Sequence, residues 1–245
     1  MPAPLISVII VCRNPGHRLR AALESVWAQP GADCEIVVVD GASGDGTREW
    51  LMQNRAKLDT LVSEPDTGVY EAMNKGVTPA RGDWLLFLGA DDRLLPGALA
   101  TLAPLLRQTD ASVVVGEAAY DDGRVYRFAG TAAAVRRNFV HHQAACYRRA
   151  LFTAHGAFDA TLRFQADYDL NLRLLKAGVK FQSVPARVAA CGSGGLSDAG
   201  AWSNYREEIA VRHRYFPAWL CWPWDLGSAV RFLRKGIVRT FSSHG

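Results

Sequence analysis

The chain has 245 residues, 49% of them hydrophobic and 21% charged, which is enough to bury one large core. Its formal net charge of +4 is modest, and the basic residues gather near the C-terminus rather than in a stripe interleaved with stacking aromatics, so nucleic acid is not the expected partner. Cys12, Cys34, Cys146, Cys191 and Cys221 form no CxxC pair and have no zinc-type histidine spacing; they predict reduced thiols in a cytoplasmic protein.

The apolar run in MPAPLISVIIVC follows no positively charged leader and precedes no cleavage site, and it reads as a first strand, Leu5 to Cys12. A helix is expected over 18–28, with Leu19, Ala22, Leu23 and Val26 on one face. Glu35 to Val39 is the next strand, closed by Asp40, and a helix follows over 46–55. A short strand, Thr60 to Ser63, leads to a helix over 69–77. Trp84 to Leu88 is a continuous apolar run, the pattern of a strand covered on both faces. This alternation predicts an α/β fold with a doubly wound, mostly parallel central sheet and right-handed crossovers.

Past residue 110 the pattern changes. Ser112 to Glu117 and Val125 to Phe128 read as strands around the turn Tyr120-Asp121-Asp122-Gly123, a small antiparallel element. Helices are expected over 148–155 and 166–177, with a strand over 180–190 before the glycine-rich loop Cys191 to Leu196. One domain over 1–215 is therefore predicted, with a nucleotide-binding half (1–110), an acceptor half (111–215) and a separate tail over 216–245.

Open α/β sheets bind ligands beyond the carboxyl ends of their strands. Asp40 stands there, before the flexible turn Gly41-Ala42-Ser43-Gly44-Asp45-Gly46, where a carboxylate accepts hydrogen bonds from a base or ribose and glycines permit close backbone approach. Neither GxxxxGK[ST] nor GxGxxG is present, which removes the main support for a P-loop or dinucleotide site. Asp91 and Asp92 stand at the end of the fourth strand, where one acid alone reads as a helix cap. Two adjacent acids repel unless a cation or a donor neutralises them. Asp167 and Asp169, two residues apart at a helix start, cannot share a helix face, so one of them is expected in the cleft and the other in a structural pair with Arg173.

The segments SVIIVCRNPGHRLRAALESVWAQ, EIVVVDGASGDGT, SEPDTGVYEAMNKGVTPARGDWLLFLGADD and QADYDLNLRL, in this order and spacing, resemble the inverting glycosyltransferase family 2 of GT-A fold, over roughly residues 5 to 197. The resemblance is closest to small bacterial members that build surface or exported polysaccharides. It implies a metal-dependent, hexosyltransferase-like enzyme. Such an enzyme moves a sugar, with inversion, from a nucleoside diphosphate donor, UDP by family weight, to a hydroxyl of a carbohydrate or lipid-linked carbohydrate.

On that resemblance Asp40 contacts base or ribose, while Asp91 and Asp92 form the carboxylate motif for ribose and a Mn²⁺ or Mg²⁺ ion, an ion that takes few carboxylates and leaves room for phosphate oxygens. Asp92 is expected as the principal ligand and Asp91 as a ribose or supporting contact. The family more often has a further acid before this pair, where Gly89 and Ala90 stand, so the division of labour stays open. Asp167 matches the catalytic base; the alternative is an acid favoured by the helix dipole. Among the polar residues of SEPDTGVYEAMNKG, Asn74 and Lys75 are donor-binding candidates, with Lys75 or Arg81 meeting phosphates. His142, in the step His141-His142-Gln143, is expected to touch diphosphate, metal or acceptor, and the loop Gly192 to Ser197 to close over the diphosphate with backbone amides.

In the tail, Leu226, Val230, Leu233, Ile237 and Phe241 recur at helical spacing, with Arg231, Arg234, Lys235 and Arg239 on another arc and three tryptophans ahead of them. That pattern suits a helix lying in the inner face of a membrane as a peripheral contact; packing on the core or on a second copy competes with it. No apolar run reaches the roughly 18 residues of a spanning helix. Two rival functions remain: a non-catalytic nucleotide-sugar-binding subunit, and a nucleotidyltransferase, whose glycine-rich basic loop Cys12-Arg13-Asn14-Pro15-Gly16 does not reproduce.

Overall fold

Every residue of the first strand, Ile6–Cys12 (β1), is buried, and successive side chains enter different cores: Val8 and Ile10 on one face, Ile9 and Val11 on the other. That is the fully covered strand expected from an unbroken β-branched run. The computed structural model describes residues 3–192 and 201–242, with the side chains of the last helix as far as residue 234. β1 is followed by α1 (Arg18–Trp27), β2 (Cys34–Asp40), α2 (Thr47–Gln53), β3 (Thr60–Ser63), α3 (Val69–Val77) and β4 (Trp84–Gly89). These are the elements read from the periodicity, to within a few residues at each end.

β5 (Arg93–Leu94), α4 (Ala98–Gln108), β6 (Val113–Tyr120), β7 (Val125–Tyr126), β8 (Ala145–Arg148), α5 (Ala150–His155), α6 (Ala166–Lys176) and β9 (Phe181–Cys191) complete the sheet half. The sheet order is β3-β2-β1-β4-β8-β6-β9-β5, with β7 paired to β6. β3, β2, β1 and β4 are mutually parallel, β6 runs parallel to β9, and β8 joins the two groups antiparallel to both β4 and β6. The hairpin of β6 and β7 stands where the Tyr120–Gly123 turn predicts it.

Helices cover both faces, as a doubly wound sheet requires. Leu19 and Leu23 of α1, Leu51 of α2 and Leu102 of α4 fill one core. Met73 of α3, Phe152 of α5 and Leu170 of α6 fill the other. α3 crosses β1 so closely that a Cβ on Gly76 would collide with Ile9 Cγ2, so only glycine fits there.

Two further helices, α7 (Trp202–Tyr215) and α8 (Ala218–Ser242), end the chain. α7 buries charged groups: Arg212 is fully enclosed and donates to Glu208 at 2.6 Å, to Ser228 at 3.3 Å and to the carbonyl of Arg136 at 2.9 Å, besides pairing with Asp225. The tail is thus a packed helix, fastened to α7 by its polar side. Among the described residues no helix is long and apolar enough to cross a membrane. The glycine-rich loop beyond Gly192 and the side chains of Lys235, Ile237, Arg239 and Phe241 lie outside the described residues.

Candidate active site

A cleft of about 870 Å³ opens beyond the carboxyl ends of β1 and β4, between the start of α3, the β6–β7 hairpin, the segment 137–143 and the start of α6. The volume is that of a site for a ligand of nucleotide-sugar size. Asp91, Asp92, His142 and Asp167 all line it, so the structure brings these four predicted residues together.

Asp91 and Asp92 leave the end of β4 with their carboxylates converging. A Cβ on Gly89 would lie 2.9 Å from Asp91 Oδ1 and 3.0 Å from Asp92 Oδ2. Asp92 is 4% exposed, and its Oδ2 accepts the Gly89 amide at 2.9 Å. Burial pushes the Asp92 carboxyl above its ordinary range and Asp91 adds to this, against the Gly89 amide, His142 and Gln143. Neither acid has an ion-pair partner among the described residues. Two convergent oxygen ligands without an ion-pair partner fit a hard divalent cation.

Asp167 faces the cleft from the first turn of α6 and is held on both oxygens. Oδ2 accepts Asn138 Nδ2 at 2.8 Å and lies 3.1 Å from His142 Nδ1, while Oδ1 accepts the Tyr168 amide at 2.8 Å and lies 3.2 Å from the Tyr70 hydroxyl. Burial and the neighbouring Asp167 push the Tyr70 phenol well above its ordinary value, so it stays protonated and donates a hydrogen bond. Its single proton has a nearer acceptor, the Phe164 carbonyl at 2.8 Å. A carboxylate offers about four acceptor sites, and here the Tyr70 contact is the one that can be released without leaving a buried donor unpaired. Asp169, as expected, is structural: it pairs with Arg173 at 3.3 Å and Arg214 at 3.0 Å and accepts the Tyr215 hydroxyl at 3.1 Å.

Four other predicted residues are not brought to the cleft lining. Asp40 is fully buried, accepting Ser63 Oγ at 2.8 Å and the Ser43 amide at 3.2 Å, and so braces the loop after β2. The acid that reaches the cleft beside that loop is Asp66, packed so closely on the loop that a Cβ on Gly41 would collide with its Oδ2. Asn74 is used twice by Phe158, donating to its carbonyl at 2.9 Å and accepting its amide at 3.0 Å. Lys75 pairs with Glu64 at 3.0 Å and Glu71 at 3.2 Å. Arg81 precedes β4 and is held by Glu35 at 2.8 Å, a full strand length, roughly 20 Å, from the acids that follow β4.

The positive charge in the cleft comes instead from Arg13, Arg18, Arg124, Arg137 and Arg163. Arg137 and Asn138 precede the His141-His142-Gln143 step, and Arg163 precedes Gln165-Ala166-Asp167, so adjacency to motifs already singled out was the available signal. The loop after β1 is stitched to the loop after β2 through Asn14, whose amide donates to Ser43 Oγ at 2.7 Å and whose Oδ1 accepts the Gly44 amide at 2.8 Å. Asn14 and Ala42, neither of them glycine, have φ of 47° and 55°, which is backbone strain concentrated beside the cleft.

The profile of "Glycosyl transferase family 2" matches residues 7–164. A PGL/p-HBAD biosynthesis glycosyltransferase of Mycobacterium bovis is 37% identical over 180 residues, covering 71% of this chain and 70% of that protein. An uncharacterised glycosyltransferase of Mycobacterium tuberculosis is 30% identical over 218 residues, 85% of this chain and 80% of the relative. Among solved structures, S. aureus TarS 1–349 in complex with UDP-GlcNAc superposes with a TM-score of 0.71 at 18% identity, covering 84% of this chain; the chain spans 64% of the TarS chain. The mannosyltransferase PcManGT from Pyrobaculum calidifontis, in complex with GDP-Man and Mn²⁺, superposes with a TM-score of 0.69 at 20% identity, covering 97% of this chain and 76% of its own. At these identities the structural likenesses establish the GT-A fold.

Proposed function

The chain belongs to glycosyl transferase family 2, and on that premise we propose that it transfers a sugar, with inversion, from a nucleoside diphosphate donor to a hydroxyl of a carbohydrate or lipid-linked carbohydrate. The observation that carries this reading is Asp167, fixed by Asn138, His142, Tyr168 and Tyr70 in the same cleft as the Asp91–Asp92 pair. UDP is the first choice of nucleotide, supported by the likeness to TarS in complex with UDP-GlcNAc. The five cysteines are all free, in keeping with a reducing, cytoplasmic setting.

In this reading Asp91 and Asp92 would hold a Mn²⁺ or Mg²⁺ ion. When bound, the ion supplies positive charge against that growing on the leaving diphosphate. Arg13, Arg137 and Arg163 offer further cationic contacts to the phosphates. The acceptor hydroxyl enters beside Asp167 Oδ1, replacing the Tyr70 contact. As its oxygen attacks the anomeric carbon from the face opposite the diphosphate, its proton passes to Asp167 and the bond to the nucleoside diphosphate breaks. Asn138 and His142 hold the other carboxylate oxygen, so the base keeps its orientation through the transfer.

Incubation with Mn²⁺ and a panel of UDP- and GDP-sugars, reading release of nucleoside diphosphate, tests the proposal. Release that requires both the metal and Asp167 is the expected result. Nucleotide binding without release, with acceptors supplied, would assign a binding subunit, and release of pyrophosphate in a parallel incubation with nucleoside triphosphates and sugar 1-phosphates would assign a nucleotidyltransferase.

A further inference from the structure

α8 presents its apolar side to solvent. Asp225, Ser228 and Arg231 face α7, where Ser228 donates to Glu208 at 2.6 Å and Arg231 pairs with Glu208 at 2.5 Å. Trp219 is 73% exposed, Trp222 63%, Leu226 60% and Leu233 60%. Their spacing of three, four and seven residues puts them in one stripe along the helix. Of the large hydrophobic side chains exposed among the described residues, all but Met52 and Trp202 belong to α8. Such a concentrated patch marks an interaction surface rather than the scattered exposure of ordinary surfaces.

The charge around the stripe identifies the partner. The only acid of the helix, Asp225, is turned inward onto Arg212 and His213, and exposed Arg234 stands beside the stripe, so the outward face carries positive charge without an acid to offset it. We propose that this face docks on an anionic lipid surface, with α8 lying in the plane of the interface, the tryptophan rings at headgroup level and the leucines below them. A second copy fits less well: a two-fold contact through the stripe would bring the two copies of Arg234 together, with no acid of the helix's outward face between them. Because one helix face buries little, the association is peripheral and reversible. The inference does not rest on the sugar-transfer reading, since the assay below contains no donor.

The test is sedimentation of the full chain with vesicles of phosphatidylcholine alone and of phosphatidylcholine mixed with phosphatidylglycerol. Binding to the mixed vesicles is expected, weakened at least roughly tenfold on neutral vesicles or in high salt. The triple variant Trp219→Ser, Trp222→Ser, Leu233→Ser should lose it while keeping the wild-type melting curve, because these side chains lie outside the packed face. Arg234→Glu, which leaves the stripe intact, should weaken binding to the mixed vesicles alone. Absence of wild-type binding, or equal binding by the triple variant, would overturn the proposal. A dimer mass in light scattering that falls to the monomer in the triple variant, without vesicle binding, would give the face to a second copy and overturn it equally.

Discussion

Two buried acids at opposite ends of the parallel strands are treated in opposite ways. At the amino end, Glu35 is answered by Ser7 Oγ at 2.5 Å, the Arg81 amide at 2.5 Å, Arg81 Nε at 2.8 Å and the Gly82 amide at 3.1 Å. Burial raises its carboxyl, but these donors outweigh burial and hold it below the usual range. At the carboxyl end, burial and Asp91 push Asp92 up, with donors too few to reverse the shift. A satisfied acid ties strands together; an acid left short of donors is prepared for something that arrives from solution.

The hardest test of this contrast is at Asp167, which stands on the carboxyl side but is well supplied with donors. Asp167→Asn should cut turnover by roughly 10²- to 10⁴-fold with donor affinity retained, as measured by single-turnover transfer beside nucleotide titration. Asp169→Asn is its partner experiment and should lower the melting temperature while leaving turnover near normal. A collapse in the Asp169 variant alone would reverse the two roles.

Asp92→Asn should reduce metal-dependent turnover by roughly 10²-fold, as loss of one group stabilising developing charge does. Without metal, its melting temperature should equal or exceed that of the wild type, because a buried, repelled charge has been removed. Mn²⁺ with nucleotide should raise the melting temperature of the wild type and not of the variant. A variant less stable than the wild type in the absence of metal would place Asp92 with Glu35 as a structural acid.

Glu35→Gln should show the reverse signature: a loss of about 1–3 kcal/mol of stability, from donors left with a poorer acceptor, and unchanged turnover. Because its folded-state pKa is depressed, the stabilisation from Glu35 is complete above the ordinary glutamate range and is lost as pH falls through the lowered value. Denaturant melts from neutral to acid pH should therefore show an acid slope in the wild type that flattens in the variant. The smallest effect is expected for Arg81→Ala, whose side chain is 60% exposed: a slight loss of stability and an unchanged KM for the donor. A raised KM would bring Arg81 back to the phosphates.

The order of the first seven elements is legible in the chain, since hydrophobic periodicity is local and buried parallel strands are written as unbroken apolar runs. Local geometry also puts Asp91 and Asp92 at a strand end and separates Asp167 from Asp169 on their helix. Which distant side chains answer one another is not written locally. Arg81 lies shortly before Asp91 and Asp92 in the chain, yet β4 runs between them, so the acids emerge at one end of the sheet and Arg81 stays at the other, paired with Glu35. In the same way Asp40 reads from sequence as a ligand-facing acid, but Ser43 and Ser63 take up its oxygens.

α7 escapes the sequence reading because its buried face includes Glu208 and Arg212, charges whose burial is satisfied only once Asp225 and Ser228 of α8 and the carbonyl of Arg136 join their own i,i+4 pair. The amphipathy of α8 is legible, but its direction is not. A helical period states that one face is apolar, and the neighbour across the interface decides whether that face is turned inward. Here Arg212 and Glu208 draw in the polar side and leave the tryptophans to solvent, because leaving a buried charge unpaired costs more than leaving an apolar side chain exposed.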